Sequence, residues 1–139
     1  MPPSLLIHYF GTKEQMTIEL VDYLLEVFRE TYGDKLASIA DPLERLHAIL
    51  DEFFSPEHHE LLDDRAFYAC CFLSLTHPKV RHAYATHYET SLELVETAIR
   101  ECIAAGLIPR DDAHELAMAV KAMEKGYAFL IPGGAGEAV

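Results

Sequence analysis

The histidines are the residues of this sequence best suited to binding a metal ion, and there are eight of them. His58 and His59 are adjacent in a polar stretch, and His77, His82 and His87 follow further along the chain. Two imidazoles share one helix face when they lie three or four residues apart, whereas a spacing of five rotates them away from each other. The pattern therefore predicts no metal site, and a small histidine-rich metalloprotein is the less favoured alternative.

The cysteines and acidic residues form no recognisable catalytic arrangement. The three cysteines, Cys70, Cys71 and Cys102, are odd in number and two are adjacent, which disfavours an intrachain disulfide framework. Their apolar context predicts buried, reduced thiols, with a redox sensor as the alternative. No nucleophile motif or phosphate-binding glycine loop is present, so we expect no enzymatic activity and no cofactor.

The size and charge of the chain restrict its location and partners. With 139 residues, half of them hydrophobic, it is long enough for one domain with a substantial core. No apolar run approaches the roughly 20 residues of a membrane span, so we expect a cytoplasmic protein without membrane contact. The net charge of −12 would repel duplex DNA, and we expect this chain to bind DNA poorly.

The hydrophobic periodicity is helical almost throughout and predicts an all-α bundle of about five main helices. Thr12 is the predicted N-cap of a long first helix ending at Gly33, and Gln15 completes a capping box. Asp41-Pro42 starts a second helix that ends at Ser55-Pro56. An apolar stretch at about 64–76 is predicted as a central helix surrounded by others. Two longer helices follow, at about 78–104 and 111–129, with Asp111 as the cap of the last.

The first residues carry a specific motif, Leu5-Leu6-Ile7-His8-Tyr9-Phe10-Gly11-Thr12-Lys13-Glu14. An apolar helical turn with aromatic residues breaks at a glycine, and a capped helix begins directly after it. This segment resembles the end of the DNA-binding domain of TetR-type (tetracycline-repressor-like) transcriptional regulators, where the recognition helix closes on an aromatic cluster before Ser/Thr-Lys-Glu. The family usually has tyrosine where this chain has Ile7.

The resemblance implies a domain organisation and a set of DNA contacts. Residues 1–11 are expected to be a remnant of the helix-turn-helix domain, 12–131 the helical effector-binding and dimerisation domain, and 132–139 a disordered tail. The two helices that should precede the recognition helix are absent from the sequence, so we expect operator recognition only in an intact protein. By matching to the family motif, the DNA-binding candidates are Ser4, His8, Tyr9 and Lys13.

The resemblance also implies an effector pocket between the helices. Aromatic residues with a few polar tips suit an apolar or aromatic small molecule. The pocket candidates are Phe53, Phe54, Phe67, Tyr68, Cys71, Phe72, Tyr84, His87 and Tyr88, which would equally serve as an ordinary helical core.

The last two helices resemble the pair through which these regulators dimerise as an intermolecular four-helix bundle. The interface candidates are Leu92, Val95, Ile99, Leu116, Val120, Met123 and Tyr127. Taken together, the sequence predicts a ligand-responsive TetR-type regulator that acts as a homodimer, and we expect it to be a repressor. The alternative is a stand-alone helical ligand-binding or adaptor domain that never carried a DNA-reading head.

Overall fold

The computed structural model describes residues 12–55 and 71–130, with residues 128 and 129 described by their backbone only. All regular structure in these two ranges is helical, which confirms the predicted fold class. The predicted recognition-helix remnant, the tail at 132–139 and most of the helix at 64–76 lie outside the described residues.

Helix α1 spans Lys13–Phe28 and begins where the sequence predicts it. Thr12 caps it, because its hydroxyl accepts a hydrogen bond from the backbone N–H of Gln15 at 3.0 Å. The Gln15 side chain donates to Glu19 at 3.0 Å instead of returning to the cap, so only half of the predicted capping box forms.

The chain does not leave the helical conformation at Gly33, and the prediction of a stop there is wrong. A π-helical turn, Arg29–Gly33, follows α1 directly and leads into a short helix α2, Asp34–Ala37. Glycine ends helices by adopting a left-handed conformation, but Gly33 has right-handed angles of φ −55° and ψ −57°. Tyr32 and Leu36, both buried, hold this continuation against the core.

Helix α3 spans Pro42–Phe53 and confirms the start predicted from Asp41-Pro42. The carboxylate of Asp41 accepts a hydrogen bond from the backbone N–H of Glu44 at 2.9 Å. Proline at the first helical position lacks only an N–H that would have no partner there. The buried face of α3 consists of Leu46, Ile49 and Phe53.

Helix α4, Pro78–Ala104, is the longest described helix, and it ends in a left-handed glycine. Gly106 has φ 72°, and its N–H donates to the carbonyl of Ile103 at 3.0 Å. The N–H of Leu107 donates to the carbonyl of Cys102 at 2.9 Å. These two bonds define a Schellman motif, which satisfies carbonyls that the helix end would leave unpaired.

Helix α5 spans Ala113–Leu130 and begins two residues after the predicted start at about 111. Asp112, not Asp111, provides the cap: its carboxylate accepts from the N–H groups of His114 at 3.0 Å and Glu115 at 3.1 Å. Asp111 accepts instead from the N–H of Asp112 at 2.8 Å, which positions the capping residue.

The centre of the described bundle is α4, because α1, α3 and α5 all pack against it. Its first half contributes Val80 and Tyr84 to a cluster with α1, and its second half contributes Val95 and Cys102 to a cluster with α3 and α5. The segment predicted as central is described only from residue 71, where 71–74 are helical. Phe72 there is 73% exposed, so this end is not surrounded by other helices as predicted.

An ion pair joins α4 to the start of α5. His114 Nδ1 lies 3.0 Å from a carboxylate oxygen of Glu96. This hydrogen bond and the charge of Glu96 raise the pKa of His114 above its usual value of 6.5. The stabilisation from this pair is therefore complete below that value and is lost as the pH rises through the raised one.

Replacing Gly106 by alanine should destabilise the fold, because a side chain in the left-handed region costs about 1 to 2 kcal/mol. We expect the midpoint of thermal unfolding, followed by circular dichroism, to fall by several degrees. Gly126→Ala is the matched control, since Gly126 is helical and an added Cβ meets no atom within 4 Å. It should stabilise the protein by roughly 0.5 to 1 kcal/mol. Equal effects of the two variants would contradict the described turn.

Candidate functional site

Three polar side chains are buried together where α4 and α5 pack. Ser91, Lys121 and Glu124 are 4%, 9% and 2% exposed, respectively, and we call them the buried polar cluster. The Lys121 ammonium group donates to the Ser91 hydroxyl at 2.7 Å and to the Glu124 carboxylate. The cluster thus places a cation, an anion and a hydroxyl group inside a helical core.

Aromatic rings and a second lysine surround the buried polar cluster. The Lys121 nitrogen lies 4.4 Å from the ring centre of Phe53 on α3, a distance that favours a cation–π interaction. The Lys125 nitrogen lies 3.6 Å from the second carboxylate oxygen of Glu124 and 5.7 Å from the ring centre of Tyr88. The site is therefore assembled from α3, α4 and α5, each of which supplies at least one side chain.

Burial determines the electrostatics of this site. Loss of hydration lowers the pKa of Lys121 below its usual value, because water no longer stabilises the charged form. The carboxylate of Glu124 opposes this effect, and the nearby charge of Lys125 adds to it. Hydrogen-bond donors and acceptors lie side by side here, in surroundings where each polar contact is stronger than in water.

The sequence pattern did not reveal this cluster. On the last helix the sequence drew attention to Leu116, Val120, Met123 and Tyr127 as interface candidates, whereas the buried side chains are Ala113, Ala117, Lys121 and Glu124. Lysine and glutamate three residues apart on a helix usually form a solvated surface pair. The available signal was the spacing of the small residues, since Ala113 and Ala117 define a stripe that continues through Lys121 and Glu124.

The predicted pocket residues that the structure describes differ in burial. Phe53, Tyr84 and His87 are buried, whereas Phe54, Cys71 and Tyr88 are half-buried. The rings of Tyr84 and Tyr88 lie 6.3 Å apart, and that of His87 lies 6.0 Å from Tyr88.

Phe72 is 73% exposed, whereas its neighbours Cys71 and Leu73 pack against the cluster around Val21. Phe67 and Tyr68 lie outside the described residues.

The predicted dimer residues divide into two groups. Val95 and Ile99 are buried in the core of the single chain, at 0% and 4% exposure, and offer no surface to a partner. The pattern misplaced them because the same apolar stripe of α4 serves both α3 and α5. The remaining candidates keep exposed surface: Met123 is 58% exposed, and Leu92, Leu116, Val120 and Tyr127 are half-buried.

The predicted DNA contact at Lys13 is the first residue of α1, and its side chain is exposed. Lys13 therefore adds a positive charge at the N-terminal end of α1, where the helix dipole is also positive. Ser4, His8 and Tyr9 lie outside the described residues.

The described cysteines differ in burial. Cys102 is completely buried, and burial, together with the charges of Asp41 and Glu101, raises the pKa of its thiol. A raised pKa leaves less of the reactive thiolate at neutral pH. Cys71 is half-buried, and Cys70 lies outside the described residues.

The ranges 12–55 and 71–130 contain no cluster of three or more histidine, cysteine or acidic side chains placed to share a metal ion. Within the same ranges, no helix combines the length and apolar character that crossing a bilayer requires.

The fold and the site define an all-helical bundle domain with a buried polar cluster between its last two helices. The family model described as "Tetracyclin repressor-like, C-terminal domain" matches residues 41–130, well over half of the chain. The protein therefore belongs to the tetracycline repressor-like family. The curated proteins include no significant match, and neither do the solved structures.

Replacing Lys121 by methionine should destabilise the protein by on the order of 3 kcal/mol, because it leaves the buried Glu124 carboxylate without its main partner. Lys125→Met is the matched control, since its side chain is 25% exposed, and it should cost less than about 1 kcal/mol. The double variant Lys121→Met/Glu124→Leu should be at least as stable as the unaltered protein. Urea unfolding measures the free energy of unfolding of all three variants. A Lys121→Met variant as stable as the control would show that the cluster is not buried.

Proposed function

We propose that this protein is the effector-sensing and dimerising part of a ligand-responsive TetR-type transcriptional regulator and that it acts as a repressor. Membership of the tetracycline repressor-like family supports the regulator class. The motif from Leu5 to Glu14 supports a connection to a DNA-reading head, and α1 starts directly from it with Lys13 exposed.

The observation that carries the proposal of ligand response is the buried polar cluster. A buried ion pair contributes less stability than apolar side chains of similar volume would, because both charges must be stripped of water. The presence of Ser91, Lys121 and Glu124 in the core is therefore better explained by binding than by stability. With Phe53 and Tyr88 beside the cluster, the effector we propose is an aromatic molecule that carries a hydrogen-bond donor and an acceptor.

The proposed coupling to DNA runs through α4. An effector that separates α4 from α5 at Ser91 changes the position of α4, against whose first half α1 packs through Val21 and Leu24. A change in the tilt of α1 alters the separation of two reading heads in a dimer. Because operator half-sites lie about 34 Å apart, a changed separation lowers operator affinity.

The proposed dimer interface lies on α4 and α5. Along α5 an apolar strip remains accessible, formed by Leu116, Val120, Met123 and Tyr127. A second copy related by a twofold axis would bury this strip against its own equivalent, which is how identical subunits most commonly associate.

Benzamide and toluene test the effector site, because they share a phenyl ring and only benzamide carries an amide donor and acceptor. We expect benzamide to raise the thermal unfolding midpoint in a concentration-dependent way, as any ligand of the folded state does. Toluene should raise it less. The double variant Lys121→Met/Glu124→Leu should abolish the advantage of benzamide. If benzamide gives no shift, or shifts the double variant equally, the proposed effector site is wrong.

Met123→Glu should dissociate the dimer, because it places a charge in the centre of the proposed apolar interface. Light scattering coupled to size-exclusion chromatography should give twice the chain mass of 15.7 kDa for the unaltered protein and the single mass for the variant. Met118→Glu is the matched control, since Met118 is 50% exposed on another side of α5. Dissociation by both variants, or by neither, would count against this interface.

A further inference from the structure

A cavity lies between α4 and the end of α1, away from the buried polar cluster. It has a volume of about 350 Å³, at the lower end of the range of small-molecule sites. Its apolar wall is formed by Phe28, Leu36, Leu94 and Ala98. We call it the π-turn groove, because Arg29 and Gly33, the two ends of the π-helical turn, also line it.

The charges around the π-turn groove cancel. At one end, Arg45 and Glu101 form an ion pair, and the Arg45 guanidinium also donates to the carbonyl of Ile39 at 2.9 and 2.7 Å. The remaining charged residues at the rim are one exposed cation, Arg29, and one exposed anion, Glu93. Arg45 and Glu101 neutralise each other, and the charges of Arg29 and Glu93 sum to zero, so the groove attracts neither cations nor anions. Its apolar wall favours uncharged molecules.

The π-helical turn is a second and independent sign of function at this place. Such turns are rare and occur frequently at functional sites. Here the turn separates α1 from α2, and both its ends face the cavity. A molecule in the groove touches the turn on one side and α4 on the other.

We propose that the π-turn groove binds an uncharged apolar small molecule and that occupancy stabilises the π-helical turn. This site is separate from the effector site proposed above, because none of the buried polar cluster lines the groove. Binding in the groove would let a second small molecule act on the protein, at the C-terminal end of α1.

The test uses two dyes with the same rings: uncharged N-phenyl-1-naphthylamine, and 1-anilinonaphthalene-8-sulfonate, which adds a negative charge. Fluorescence titration of the full chain should show at least fivefold tighter binding of the uncharged dye. Thr97→Trp, which puts an indole on the rim of the groove, should weaken its binding at least tenfold. Glu89→Trp is the matched control, since Glu89 is exposed on α4 and does not line the groove, and should change the affinity less than twofold.

Hydrogen exchange provides a readout at the turn itself. Saturation with N-phenyl-1-naphthylamine should slow exchange of the amides of residues 29–33 in the unaltered protein but not in Thr97→Trp. Equal affinity in Thr97→Trp and the unaltered chain, or equal affinity for the two dyes, would overturn the site. Unchanged exchange at 29–33 would overturn the coupling to the turn. The Lys121→Met/Glu124→Leu variant should bind the dye normally, so failure of the effector site and failure of the groove are distinguishable.

Discussion

The described structure depends on one constraint, which is that α4 packs against three helices at once. A surface helix needs a single apolar stripe, but α4 must satisfy α1 with its first half and α3 and α5 with its second. It therefore buries residues along its whole length, from Val80 to Cys102, and these include the polar side chains of His87 and Ser91. Any shift of α4 along or about its axis changes its contacts with α1, α3 and α5 together, which makes it suited to transmitting motion.

The buried polar cluster lies in the middle of this arrangement. Ser91 belongs to α4, while Lys121 and Glu124 belong to α5, so the contact between these two helices contains a polar link as well as alanines. The small side chains of Ala113 and Ala117 allow the helices to approach closely at one end, and the longer pair fills the space further along. The contact between α4 and α5 is therefore made by small apolar side chains at one end and by hydrogen-bonded polar side chains further along.

The sequence specified those features that depend on local interactions. Helix caps, helix-starting prolines and helix-ending glycines act within one or two turns of the chain. The starts of α1, α3 and α4 and the end of α4 could therefore be predicted from Thr12, Asp41, Pro78 and Gly106. Gly33 was misassigned because its conformation is decided by the burial of Tyr32 and Leu36, a tertiary effect. The buried face of α5 was not predicted for the same reason, since the burial of a lysine and a glutamate depends on partners from other helices. The candidate site could therefore be predicted only in part: its aromatic members were predicted from the sequence, but its charged centre was not.

The π-helical turn also bears on how the length of this chain can vary. Its wider turn holds one residue more than the α-helix on either side would use over the same rise. A surplus residue is thereby absorbed locally, so that the faces of α1 and α2 stay aligned with the same neighbours. Loss of one residue from 29–33 would simply convert the turn to regular α-helix, whereas loss of one residue from the middle of α1 would rotate everything before it by about 100°. The orientation of α1 relative to the bundle is thus protected against the loss of one residue at this point of the helix.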